Sequence, residues 1–162
     1  MTCKPEQLWA ALRIVLGWIF LWAFLDKVFG LGFATKPEAA WIAGGSPTSG
    51  FLQFGTHGPL ASMFQVLAGN VFIDGIFMLG LLLLGLALIL GIGVRIAGHA
   101  GALLMFLMWL SLIPPANNPI VDEHIVYLIL LLLMAKVKAG QWYGLGKWWS
   151  NKTFVKNHPI LE

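Results

Sequence analysis

The stretch IFMLGLLLLGLALILGIGV, residues 76–94, decides how this chain folds. It contains no charged side chain. At a rise of 1.5 Å per residue, a helix of this length spans about 28 Å, which is close to the thickness of the hydrocarbon core of a bilayer. Backbone polar groups in lipid must bond to each other within the segment, so the stretch is predicted to be a membrane-spanning helix.

Three further apolar runs have nearly the same length: Leu8–Leu25, Ile96–Ile113 and Ile120–Val137. The chain of 162 residues is 59% hydrophobic and 10% charged, whereas a soluble domain carries about 25% charged residues. We therefore predict an all-α integral membrane four-helix bundle that forms one domain over residues 1–162. The predicted spans cover about residues 8–29, 74–94, 96–113 and 119–137, and residues 138–162 form a cytoplasmic tail.

Two side chains are predicted to cap the starts of the second and fourth spans, namely Asp74 and Asn118. Side chains of this type accept hydrogen bonds from the free N–H groups at a helix N-terminus. Pro119 suits the first helical position, because its missing N–H would be unbonded there in any case. Gly91 and Gly93 predict a tight turn between the second and third spans.

The connection between the first and second spans, about residues 30–74, is too long to be a simple linker. Pro37–Ala43 and Pro59–Ala68 predict two short helices, which are separated by the turn-forming sequence GGSPTSG. We expect this long extracytoplasmic loop to fold over the mouth of the bundle or to dip into the membrane interface.

Lysine and arginine are distributed unevenly along the chain. With the N-terminus in the cytoplasm, all of the 10 basic residues except Lys27 and Lys36 lie at the inner side. This asymmetry follows the positive-inside rule and predicts a multi-pass protein of the cell membrane with both termini cytoplasmic. It also explains the net charge of +3 without a nucleic-acid partner.

One face of the first span carries a cation near each end. Arg13, Gly17, Phe20, Phe24 and Lys27 recur at helical spacing and so share this face. Charge is costly in lipid, so the face is expected to look into the bundle or to reach the headgroups. The alternative is that Arg13 and Lys27 extend to opposite interfaces and only anchor the helix.

Titratable side chains collect at the outer ends of the predicted spans: Asp26, Lys27, Asp74, Asp122, Glu123 and His124. The simple interpretation is capping and interface chemistry, since carboxylates are stabilised at a helix N-terminus. The functional interpretation is a shared polar pocket for a small anionic or redox-active ligand. In that pocket Lys27 attracts the ligand, and Asp122, Glu123 and His124 are the candidate catalytic residues that move protons.

Four residues are candidates for substrate binding: Arg13, Asp26, Lys27 and Tyr127. Tyr127 lies one helical turn from Glu123 and can bond to it. We predict no metal site, because three consecutive ligands on one helix fan around it and cannot converge.

The sequence offers no complete active site of its own. Cys3 is the only cysteine, which excludes an intramolecular disulfide and a CxxC redox pair. A dinucleotide fingerprint and a metalloprotease motif are also missing. Gly93, Ala97 and Gly101 form a row of small residues, which is typical of close helix packing or of a contact in a homo-oligomer.

Several segments resemble the DoxX/DoxD family of small four-helix membrane proteins. They are LGWIFLWAFLDKVFGLGFAT (16–35), WIAGGSPTSGFL (41–52), MLGLLLLGLALILGIGVRIAG (78–98) and PPANNPIVDEHIVYLILLLLMA (114–135). The resemblance covers nearly the whole chain. Its most specific parts are the arginine in the first helix, the Asp–Lys pair at the outer end of that helix and the Asn-Pro…Asp-x-His pattern before the last one.

The resemblance implies a membrane protein of sulfur and thiol redox chemistry. DoxD is the membrane subunit of a thiosulfate:quinone oxidoreductase and works with a second, DoxA-type subunit. Carried onto this chain, the resemblance points to Arg13, Asp26, Lys27, Asp122 and His124. It makes quinone the expected electron acceptor and a DoxA-like or thiol-redox protein the expected partner, in addition to the lipid bilayer.

Two other functions stay open. A small-solute carrier would use the polar mouth and Arg13 as the two ends of a path, although inverted repeats are missing. A non-catalytic scaffold or assembly protein would use only its packing surfaces.

Overall fold

The computed structural model describes residues 4–162, and that part of the chain contains only helices and connecting turns. The α-helices are α1 (Pro5–Phe29), α2 (Ala61–Gln65), α3 (Val71–Leu90), α4 (Val94–Ser111), α5 (Glu123–Lys136), α6 (Gly146–Ser150) and α7 (Thr153–Asn157). Single helical turns lie at Pro37–Ala39, Trp41–Ala43, Phe51–Gly55, Ala139–Gln141 and Pro159–Leu161. The prediction of an all-helical chain is confirmed.

Three helices are long and apolar enough to cross a membrane. α1, α3 and α4 have mean hydropathies of 2.0, 2.5 and 1.4 over an 18-residue window, which indicates a membrane protein. They correspond to the predicted spans 8–29, 74–94 and 96–113. Gly30 and Gly91 end α1 and α3 with φ of 63° and 75°, a left-handed conformation that glycine adopts without steric cost.

α5 is shorter than the predicted fourth span and has 14 residues. The side chain of Asn118 accepts the N–H of Ile120 at 2.9 Å and closes a turn, not a helix. Asp122 is the helix cap, and its Oδ1 accepts the N–H of His124 at 3.0 Å. The prediction of a helix that begins at Pro119 was therefore wrong. Asp122 has an extended backbone, with φ −133° and ψ −172°, which interrupts any helix from that proline.

The cap of α3 is also not the predicted residue. Asn70 accepts the N–H of Phe72 at 2.9 Å and caps the helix. Asp74 lies within the first turn and is buried. It accepts hydrogen bonds from Thr48 Oγ1 at 2.6 Å and from Ser46 Oγ at 3.0 Å. Because α3 starts earlier than predicted, Asp74 does not cap the helix, and its carboxylate binds the long loop instead.

α1 and α3 pack closely through two glycines. A Cβ at Gly17 would lie 2.9 Å from Leu88 Cβ, and a Cβ at Gly85 would lie 2.7 Å from Leu21 Cβ. Real Cβ atoms do not approach other atoms so closely, so larger side chains at these positions would push the helices apart. The two helices are therefore held at a short distance by the small residues on both sides.

α4 and α5 form a second close pair. A Cβ at Gly98 would lie 2.6 Å from the carbonyl oxygen of Leu131, and one at Gly101 would lie 3.0 Å from Leu131 Cδ1. Contacts between α3 and α4 are much sparser than those within either pair. The row of small residues is thus divided: Gly101 packs against α5, whereas Gly93 and Ala97 face an open groove.

The long loop lies across one end of these helices. We call this the Lys27 end, and the opposite end is called the Arg13 end. The loop is fastened to α3 through Thr48 and Asp74, as described above. It is fastened to the end of α4 by the N–H of His57, which donates to the carbonyl of Ser111 at 3.3 Å.

The tail folds back over the Arg13 end. The N–H of Leu145 donates to the carbonyl of Leu90 at 2.8 Å, and the N–H of Arg95 donates to the carbonyl of Glu162 at 2.7 Å. The side chain of Arg95 also donates to the carbonyl of Pro159 at 3.2 Å. Residues 138–162 are therefore part of the folded unit.

Candidate functional site

Arg13 is buried where α1, the end of α3 and the tail meet. Its Nη1 donates to the carbonyls of Leu88 and Ile89, the latter at 2.9 Å. Its Nη2 donates to the carbonyls of Trp142 and Tyr143, each at 3.2 Å. The last carbonyls of a helix have no partner within it. Arg13 supplies donors to two of them and joins three segments of the chain.

Asp26 is buried at the end of α1. Its two carboxylate oxygens accept the N–H groups of Phe33 and Ala34 at 3.3 and 3.1 Å. These bonds fix the turn that follows the helix. Arg13 and Asp26, both predicted to bind substrate, thus direct their polar atoms to backbone groups at opposite ends of α1.

Lys27 differs from its neighbour Asp26. Its side chain is half-buried, and the structure of residues 4–162 shows no hydrogen bond or ion pair to its ammonium group. The side chain lines one end of the groove between α3 and α4. The carboxylate of Asp26 attracts the ammonium through its charge but does not accept a hydrogen bond from it. A half-buried donor without an acceptor is costly, so a ligand that supplies an acceptor would bind favourably there.

The groove has a volume of about 730 Å³, which is within the range of about 300–1,000 Å³ for small-molecule sites. One face of α3, represented by Gly80 and Ala87, forms one wall, and one face of α4 forms the other. Its polar lining is small and includes Thr48, Ser111 and Lys27, which belong to the Lys27 end. The shape suits a molecule with a long apolar part and a hydrogen-bonding head.

Asp122 and His124 form a close pair at the start of α5. The Asp122 Oδ2 and His124 Nδ1 atoms are 2.9 Å apart, and the side chains are only 11% and 15% exposed. The carboxylate holds the imidazole in one orientation, which leaves Nε2 as the nitrogen that can exchange a proton with a ligand or with water. The proton-transfer role of the two residues stays a prediction.

The other two predicted residues of this region are not joined to the pair. Glu123 is exposed, and the side chain of Tyr127 packs against the apolar core. No hydrogen bond between Glu123 and Tyr127 is found in the part of the chain that the structure describes. Among residues 4–162, no three histidine, cysteine, aspartate or glutamate side chains are grouped closely enough to hold a metal ion.

The predicted shared pocket is divided in the structure. Lys27 lines the groove, but Asp122, His124 and Tyr127 do not. Arg13 lies at the opposite end of the helices. The sequence predicts these groups in one pocket but gives no information on how each is rotated about its helix axis.

Two residues of the groove were not predicted. Thr48 and Ser111 also line the groove, and their hydroxyls donate to Asp74 Oδ1 and to the carbonyl of Met108. Thr48 comes from the long loop, and no local pattern links it to α3. A signal for the groove itself was present, because Gly80 and Ala87 are small residues seven positions apart on one face of α3.

His57 links the loop to the segment after α4. Its Nε2 lies 2.9 Å from the carbonyl oxygen of Pro114, and its Nδ1 lies 3.2 Å from that of Gly55. Only the doubly protonated imidazolium can donate to both carbonyls. The carbonyl of Pro114, and after it that of Gly55, therefore raise the pKa of His57 above its ordinary value.

The chain was also compared with known proteins. No family model matches it, and neither a curated protein nor a solved structure matches it. The case for a function therefore rests on the residues and their geometry.

Proposed function

We propose that the protein is the membrane subunit of a sulfur- or thiol-linked quinone oxidoreductase, in which the groove between α3 and α4 holds the quinone. The observation that carries this proposal is a long apolar groove with the unpartnered ammonium of Lys27 at one end. The proposal agrees with the resemblance to the thiosulfate:quinone oxidoreductases of the DoxX/DoxD family.

The length of the groove favours a ligand with a long tail. The lining of α3 extends from Ile73 to Ala87, which corresponds to a rise of about 21 Å. One leaflet contributes about half of the roughly 30 Å hydrocarbon core. A ligand that fills the groove therefore reaches past the middle of the membrane, as an isoprenoid tail can.

The head of a quinone suits the Lys27 end. Its carbonyl oxygens accept hydrogen bonds, and the ammonium of Lys27 is a donor without a partner among the described residues. During reduction, negative charge develops on these oxygens. A fixed cation in a site of low dielectric constant stabilises such charge more than water does.

The proposed reaction moves two electrons and two protons. Two thiosulfate ions or two thiols lose one electron each and couple through a new S–S bond, as tetrathionate or a disulfide. The quinone takes up these two electrons and two protons to become a quinol. The chain has no motif for an electron-carrying cofactor, so a DoxA-like or thiol-redox partner passes the electrons on or presents the donor at the Lys27 end.

The Asp122–His124 pair is the proposed source of protons. It lies at the same end of the helices as Lys27 but outside the groove, so water or the quinone head must connect the two. In this proposal Arg13 and Asp26 maintain the fold and do not bind substrate. Glu123 remains a proposed proton carrier at the surface, and Tyr127 supports the start of α5 through its packing.

We also propose the arrangement in the membrane. α5 is the fourth span, and its 14 residues are extended by the apolar residues Ile120, Val121 and Val137. Both termini face the cytoplasm, so the Lys27 end and the long loop lie outside. This orientation places the basic residues of the tail at the inner surface.

Quinone binding tests the proposal directly. The substitution Gly80→Trp fills the groove, because a Cβ at this position meets no atom within 4 Å. Gly75→Trp is the matched control: it lies on the same helix, is equally open and does not line the groove. We expect photo-crosslinking of an azidoquinone in lipid nanodiscs to fall at least tenfold in Gly80→Trp and to be unchanged in Gly75→Trp. Equal labelling of the two variants would refute the site.

Lys27 tests the role of the ammonium. We expect Lys27→Met to weaken quinone binding by roughly tenfold to 150-fold, the range for loss of one charged hydrogen bond of about 1.5–3 kcal/mol. Lys27→Arg keeps a charged donor and should retain most of the binding. If Lys27→Met binds as well as the natural protein, the head does not lie at this end.

Turnover assays distinguish an oxidoreductase subunit from a carrier and from a scaffold. Thiosulfate- or thiol-dependent reduction of quinone by membranes that contain the partner should be lost in Gly80→Trp and reduced in His124→Ala. Quinone binding without any turnover would leave a carrier or a scaffold as the function, and solute uptake into vesicles would distinguish the carrier.

A further inference from the structure

The chain has a long interval without charge. Between Glu38 and Asp74 there is no lysine, arginine, aspartate or glutamate, and His57 is the one titratable side chain. Protein segments in water carry about one charged residue in four. The composition of this interval is therefore that of a segment in contact with lipid.

Residues 51–72, which we call the flap, expose large apolar side chains on their outer side. Phe54, Val66 and Phe72 are 85%, 80% and 82% exposed. Apart from His57, the polar side chains exposed among them, such as Gln53 and Gln65, are uncharged. An apolar surface of this kind is rarely left in water.

The inner side of the flap is also apolar. Phe51, Leu52, Phe64 and Leu67 line the groove at its Lys27 end. The flap therefore has apolar side chains on both of its sides. Its outer surface continues onto α3, where Ile76 is also exposed on a helix long enough to cross the membrane.

We infer that the flap is embedded in the lipid at the membrane interface, where it separates the Lys27 end of the groove from water. Interfacial segments insert their apolar face about 5–10 Å below the headgroups. Because the flap has no lysine, arginine, aspartate or glutamate and only His57 as a titratable side chain, neutral phosphatidylcholine is sufficient. Whatever molecule occupies the groove reaches it sideways from the bilayer, between α3 and α4. This inference does not depend on the ligand being a quinone.

The depth of the flap can be measured with a fluorophore. Single cysteines are introduced as Phe54→Cys, Val66→Cys or, as a control, Asn117→Cys, in a Cys3→Ser background. Asn117 is exposed in the loop after α4, on the same side of the helices. Each protein is labelled with bimane and reconstituted into phosphatidylcholine vesicles with iodide available on both sides.

We expect a nitroxide lipid, labelled near the top of its acyl chain, to quench bimane at positions 54 and 66 several-fold more than at position 117. Iodide in the water should quench in the reverse order. If positions 54 and 66 are quenched by iodide as strongly as position 117, the flap lies in water and the inference is wrong.

A second measurement uses the natural chain and needs no folded variant. A phosphatidylcholine with a photoactivatable group near the top of its acyl chain is irradiated with the reconstituted protein, and labelled peptides are identified by mass spectrometry. Labels are expected in residues 51–70 as well as in residues 73–90 of α3. Labels in residues 73–90 without any in residues 51–70 would overturn the inference, whether or not quinone binds.

Discussion

At the scale of single residues, two side chains of α1 illustrate how burial decides between structure and chemistry. The two Nη atoms of buried Arg13 donate to four backbone carbonyls, and only its Nε has no partner among the described residues. Lys27 has no such partners in the described part of the chain and lines a groove of ligand size. The sequence predicts both as cations on one face but does not reveal which of them is already satisfied.

Replacement of Arg13 should destabilise the protein strongly. Arg13→Met leaves carbonyls of α3 and of the tail without donors, and each buried unsatisfied group costs about 1–3 kcal/mol. We expect a large decrease in the unfolding temperature in detergent. Arg95→Met is the control, because the side chain of Arg95 donates to a single carbonyl at an exposed position. Similar losses in the two variants would contradict the role of Arg13.

His57 should make stability depend on pH. Its pKa is raised in the folded protein, whereas an unfolded histidine titrates near pH 6.5. The stabilising contribution is therefore complete below about pH 6.5 and is lost as the pH rises through the higher, folded pKa. Because the side chain is exposed, the effect is small.

The measurement is the difference in unfolding temperature between the natural protein and His57→Gln across this pH range. The natural protein should have its largest advantage at acidic pH and lose it on the alkaline side. An advantage that grows as the pH rises would show that the two carbonyls do not bind an imidazolium.

At the scale of helices, small residues set the distances within the two pairs α1/α3 and α4/α5. The sequence predicts α1, α3 and α4 well, because long uncharged runs in lipid have no alternative to the helix. It places the start of α5 too early, because Asn118 and Pro119 look like a helix start and Asp122 offers a competing cap only four residues later. The rotation of each helix about its axis decides which small residues face another helix and which face the groove. An apolar helix has no polar face, so its sequence does not predict this rotation.

Gly98→Ala should destabilise the α4/α5 pair. A Cβ there would lie 2.6 Å from a backbone oxygen of Leu131, which cannot move without displacing α5. This clash outweighs the gain of about 1 kcal/mol in helix propensity from glycine to alanine. Gly75→Ala meets no atom within 4 Å and should be neutral or stabilising. Thermal unfolding of both variants in the same detergent provides the comparison, and equal stability would show that the close contact does not exist.

At the scale of the whole molecule, the two helix pairs are joined at the Arg13 end and are separated from each other by the groove. The tail is hydrogen-bonded to α3, α4 and Arg13 at the Arg13 end, and the long loop covers the Lys27 end. The sequence predicts both ends as polar but cannot predict how they are joined. The contacts of Arg13 connect residues 75 to 130 positions apart, and such pairs leave no local pattern.

The orientation of the molecule gives a further prediction. Single cysteines at exposed positions Glu38 and Asn157 should react with a membrane-impermeant maleimide from opposite sides of intact cells. We expect labelling at position 38 from outside and at position 157 only after the membrane is opened, since the basic tail favours the inside. Labelling of both positions from outside would invalidate the four-span arrangement.

Arg13 is synthesised long before two of the carbonyls that it binds, which follow 129 and 130 positions later. Until Trp142 and Tyr143 have left the ribosome, the first helix carries a guanidinium group that lacks two of its four hydrogen-bond acceptors. We therefore expect the insertion machinery to retain this helix until the chain is almost finished. A photo-crosslinker at position 14 of a chain stalled at residue 140 should reach translocon subunits, whereas early release into lipid would give lipid adducts instead. In that case the first helix to be synthesised is among the last to be released into the bilayer.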